Sequence, residues 1–131
     1  MNPYANARQA YAESTVMTAS REQLVVMLYD GAIRFLRQSA EAMRAGHREQ
    51  SRNRMRRAEA IIEELNGTLD MSYGDVPASL RSIYLFCKRQ LIEANLNKDA
   101  TAIDTVVRLL GELRDSWDQL ANSRPLAAAT A

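Results

Sequence analysis

Residues 18–36 read TASREQLVVMLYDGAIRFL, and this stretch decides the fold. Ser20 suits a helix cap, because its hydroxyl can accept from a backbone N–H of the first turn. Gln23 stands three residues on, where its amide can reach back and complete a capping box. Six apolar residues then follow without a break, Leu24 to Tyr29, more than one buried helix face needs. Gly31 falls inside the same helix, where it costs about 1 kcal/mol against alanine. A helix built this way is expected to pack on two sides or to offer apolar surface to a partner.

Working outward, the first helix is predicted from Arg21 to Met43 or Arg44. At 100° per residue Val25, Leu28, Tyr29, Ala32, Leu36 and Met43 share one side. Leu24 and Phe35 widen that side on one flank. Val26 and Ile33 widen it on the other and are candidate partner contacts. Gly46 offers the positive φ that ends a helix. The second helix, Glu49 to Leu69, has a narrow stripe of Met55, Ala58, Ile62, Leu65 and Leu69. A loop over 70–77 follows, with Gly74 turning and Asp75 as cap. Pro77 is harmless in a first turn, where its missing N–H is no loss.

The third helix, Val76 to Leu96, carries two stripes. Leu80, Ile83, Tyr84, Cys87, Leu91 and Ala94 form the expected core face. Leu85, Ile92 and Leu96 form another, about 120–160° away on the helical wheel. Arg81, Lys88 and Asn95 separate the two. A core needs only one stripe. The fourth helix, Asp99 to about Ala121, steps through Ile103, Val106, Leu110, Leu113, Trp117 and Leu120 in bundle-seam spacing. Four helices with short connections imply an all-α, antiparallel up-down-up-down four-helix bundle over residues 18–122. Residues 1–17 are expected to form a mobile N-terminal arm whose Tyr4 and Tyr11 need a docking surface. Residues 123–131, marked by Pro125, are expected to be a disordered tail.

Composition narrows the chemistry. The 131 residues make one domain, and a net charge of +1 gives no global pull toward nucleic acid or anionic lipid. A single cysteine excludes an internal disulfide and fits a reducing compartment. No apolar run approaches the roughly 18 residues of a membrane span, and the first residues lack the apolar core of a secretory signal. The expectation is a cytoplasmic protein without membrane insertion. His47 sits in a polar loop without ligand-spaced neighbours, Cys87 falls on a core stripe, and no glycine-rich phosphate loop occurs. No catalytic role, metal or cofactor is therefore expected.

Two surfaces remain to be explained. Arg48, Arg52, Arg54, Arg56 and Arg57 crowd the start of the second helix, where cations oppose the helix dipole. Pairing with Glu49, Glu59 and neighbouring helices would make them a solvated face. Unpaired, they would suit the phosphates of a nucleic acid or, in a regulatory adaptor, an acidic protein. The outer stripe of the third helix has two readings as well. It belongs to a wider core or is covered by the arm, or it is a groove for an amphipathic helical partner.

The opening arm with Tyr4 and Tyr11, the segment TASREQLVVMLYDGAIRFL, and the stretches LIEANLNKDATAID (91–104) and ELRDSW (112–117) resemble the flagellin-specific export chaperones of the flagellar secretion system. Arg21 departs from the family pattern, which places proline just after TAS. The resemblance implies a cytoplasmic, non-catalytic four-helix bundle that binds the disordered C-terminal segment of flagellin. It also implies prevention of early polymerisation and delivery to the flagellar type III export gate. Contacts with that gate and with other flagellar regulatory proteins are not placed on particular residues. In such proteins the N-terminal segment lies against the client surface, which makes Tyr4, Tyr11, Val26, Ile33, Leu85, Ile92 and Leu96 the partner-binding candidates.

Overall fold

A computed structural model describes the backbone over residues 19–130 and the side chains over 19–123. Tyr4 and Tyr11 lie outside the described residues. Four helices follow in order: α1 (Arg21–Arg44), α2 (Arg48–Gly67), α3 (Asp75–Asn97) and α4 (Ala100–Thr130), with a 3-10 turn at Met71–Tyr73. They form an all-α bundle with no strand among the described residues.

The ends of the helices follow local chemistry. The Gln23 N–H donates to Ser20 Oγ at 3.1 Å, and the Ser20 N–H donates to Gln23 Oε1 at 2.7 Å, so the capping box is complete. Gly46, at φ 80°, turns the chain out of α1. Gly74, at φ 85°, takes the cap position of α3 that had been expected of Asp75. Asp75 instead opens the helix, where its carboxylate still complements the N-terminal dipole. Between α3 and α4 Lys98 adopts φ 53°, a left-handed conformation usually left to glycine or asparagine. Asp99 then accepts from the Thr101 N–H at 3.0 Å and from the Thr101 hydroxyl, capping α4. These bonds hold its carboxyl below the usual range. The last helix runs on to Thr130, past the expected end near Ala121. A proline removes one backbone bond from a helix, and the alanines that follow Pro125 favour continuing.

Around the bundle, α1 lies closely along both α2 and α4, while α3 meets α4 and α2 more sparsely. Tyr29, Leu36, Leu65, Leu91, Ile103 and Leu110 are fully buried at the centre. A Cβ added at Gly31 would stand 3.3 Å from Ile61 Cδ1, so the glycine lets α2 approach α1 closely. Further along the same seam Ser39 Oγ donates to the Ser51 carbonyl at 2.8 Å, and Ser51 Oγ donates to the Ser39 carbonyl at 2.9 Å. Both serines are buried and satisfied.

Two sequence expectations are corrected here. Val26 and Ile33 are only 7% and 8% exposed, inside the bundle rather than on its surface. With close neighbours on both sides of α1, the arc of the helix that is covered is wider than one stripe.

Candidate partner-binding surface

The two faces of α3 divide as their spacing predicts. Tyr84, Cys87, Leu91 and Ala94 are buried, with Leu80 and Ile83 partly covered beside them. On the opposite face Leu85, Ile92 and Leu96 are 43%, 49% and 75% exposed. Phe86, also exposed, extends this apolar face sideways. It lies 100° from Leu85 on the wheel, between the two stripes, with only Ile83 as an apolar neighbour a turn away, so periodicity gave little sign of it. Along the other margin Lys88 Nζ meets Glu63 Oε1 of α2 at 3.1 Å, an exposed pair that sets position more than stability.

A second apolar surface opens where α1 starts, α2 ends and α3 begins. It is a cleft of about 860 Å³, walled by Val25, Leu65, Leu69, Leu80, Trp117 and Leu120, with Arg21 and Asp70 at its edge. The exposed Tyr73 and Val76 stand at its loop side. Tyr84 also lines it, and its hydroxyl pairs with the Tyr29 hydroxyl at 2.5 Å beneath. Burial pushes both phenols upward, so they stay neutral hydrogen-bonding groups. Five separate chain segments build this cleft, and no single pattern in the sequence announces it.

The arginine segment departs from expectation. Among the described residues none of Arg48, Arg52, Arg54, Arg56 and Arg57 lies within ion-pair distance of a carboxylate, neither Glu49 nor Glu59 included. Arg57 and Arg34 instead stand over the Phe35 ring at 5.6 Å and 5.4 Å. His47 takes the cap position of α2 without a side-chain cap bond and is exposed. Cys87 is buried, its thiol pushed up to about 11, which keeps it a protonated core side chain. No group of three or more His, Cys, Asp or Glu among the described residues could hold a metal. None of the described helices is long and apolar enough to cross a membrane.

Fold and surface together define an all-α bundle that hides one stripe of α3 and leaves the other bare. The family model for the flagellar protein FliS matches residues 4–124. The flagellar secretion chaperone FliS of Bacillus subtilis is 33% identical over 122 residues, covering 93% of this chain and 88% of that protein. Those of Escherichia coli and Salmonella typhimurium are each 34% identical, over 88% and 86% of this chain and 89% and 85% of theirs. The chain belongs to the FliS family of flagellar secretion chaperones.

Proposed function

We propose that this protein is a cytoplasmic chaperone that captures the disordered C-terminal segment of flagellin. In this reading it keeps flagellin from polymerising early and helps present it to the flagellar type III export gate. It performs no chemistry of its own. The bare row of Leu85, Ile92 and Leu96, opposite the buried face of the same helix, is the observation that carries the reading. A client that folds on binding gives up several kcal/mol of ordering entropy. At about 25 cal/mol per Å² of apolar area, recovering that loss favours several separate surfaces over one pocket. The outer face of α3 and the bundle-end cleft are two such surfaces. Residues 1–17, with Tyr4 and Tyr11, act here as a tethered cover that the client displaces. A short tether holds such a cover at an effective concentration in the mM range, which a micromolar client overcomes.

Co-purification with flagellin, full length and lacking its C-terminal segment, tests the proposal. Wild-type protein should retain only the full-length form. Leu85→Glu and Ile92→Glu should each weaken capture by about 100-fold or more, with helicity and melting nearly unchanged. Retention of both flagellin forms alike, or full capture by the charged variants, would overturn it.

A further inference from the structure

Arg48, Arg52 and Arg56 stand at i, i+4 and i+8 on α2, a single ridge about 12 Å long. Arg48 and Arg52 face a cavity of about 180 Å³ whose other wall, from the end of α3, supplies Asn95 and Lys98. Arg48 also borders a shallower depression beside Asn53 and Arg54. All these cations are free of ion pairs among the described residues, though Glu49 lines the depression beside Arg48 and Arg54, and Glu59 lies near Arg56.

Lys98, at the C-terminus of α3, complements that helix's dipole, but nothing in the fold calls for the row of arginines. Like charges four residues apart on a helix repel one another, and cations in a first turn oppose the dipole. Lys98 holds a left-handed φ that glycine would adopt without strain. Unfavourable placements that converge on one cavity, from two helices, are expected where they serve a ligand rather than stability. Guanidinium forks match carboxylates in bidentate geometry, and Lys98 adds a point charge opposite them.

We propose that the Arg48–Arg52–Arg56 ridge, together with Lys98, is a second docking surface that takes a carboxylate-rich protein segment. Nucleic acid fits it less well. The ridge is short, the exposed aromatic rings of Tyr73 and Phe86 lie elsewhere, and the whole chain carries a net charge of only +1. The arginines stand on α2, whereas Lys98 and Asn95 adjoin Leu96 at the end of the apolar face of α3.

The test is fluorescence anisotropy with a labelled glutamate-rich peptide, its glutamine counterpart and an oligothymidine. The glutamate peptide should bind, weakening as salt rises, and the glutamine peptide should not. The double variant R48E/R52E should bind it at least about tenfold more weakly while melting at the same or a higher temperature. Lys98→Gly should lose about threefold and also keep or raise its melting temperature. Arg81→Glu combined with Arg89→Glu, on exposed α3 positions, should change binding by less than about twofold. No binding, equal losses in both double variants, tighter binding of oligothymidine, or a marked fall in melting temperature for R48E/R52E would overturn the proposal. Flagellin capture should persist in R48E/R52E and peptide binding in Leu85→Glu, so either reading can fail alone.

Discussion

Both α1 and α3 carry more apolar surface than a single packing stripe uses, yet the bundle treats them in opposite ways. Close neighbours on two sides cover α1, so Val26 and Ile33 disappear into the interior. The sparser packing of α3 covers one stripe and leaves Leu85, Ile92 and Leu96 in water. Composition sets how much apolar surface a helix carries. The number and closeness of its neighbours set how much of it stays bare. A buried Leu or Ile side chain is worth about 1.5–3 kcal/mol, so the outer row of α3 adds little of that gain to the bundle.

The contrast can be broken most directly by matched truncations. Leu36→Ala, at a fully buried position of α1, should lower stability by about 2–5 kcal/mol in urea unfolding. Leu85→Ala should change it by less than about 0.5 kcal/mol. Similar losses in the two variants would mean that the outer face of α3 is not bare. Next in size is the α1–α2 seam. Gly31→Val should cost about 1–3 kcal/mol despite a better helix propensity, because its side chain would press into Ile61, already 3.3 Å from an added Cβ. A more stable valine variant would show that α2 does not approach α1 as closely as described.

Much of this was legible in the residues. The capping box at Ser20 and Gln23, the turns at Gly46 and Gly74, and the double stripe of α3 each follow from short-range chemistry that a sequence displays. Val26 and Ile33 were misplaced because a helical wheel ranks positions by their distance from one centre. Burial in α1 depends instead on two neighbours, which no single segment encodes. The same limit hides the bundle-end cleft, assembled from helix segments far apart in sequence, and the opposition of Lys98 to Arg48 and Arg52. Pairing of the arginines with Glu49 and Glu59 looked sound by spacing, yet proximity along a helix fixes neither rotamer nor partner.

The smallest expected effect concerns how the two helices begin. At the start of α1 there is a complete capping box and no proline, whereas α3 starts with a buried Pro77 and no side-chain cap. Arg21 is the first residue of α1, where the backbone N–H has no partner within the helix and a proline gives up nothing. A proline also forces its predecessor into extended backbone, and Ser20 already sits at φ −68°, ψ 166°. Arg21→Pro should therefore stabilise the protein by about 0.4–1 kcal/mol through the unfolded chain. That corresponds to a rise of about 1–4 °C in melting temperature for a domain of this size. A drop in melting temperature would mean that the backbone entering α1 is not preset for the helix, and that its cap is doing less than the two hydrogen bonds of Ser20 and Gln23 indicate.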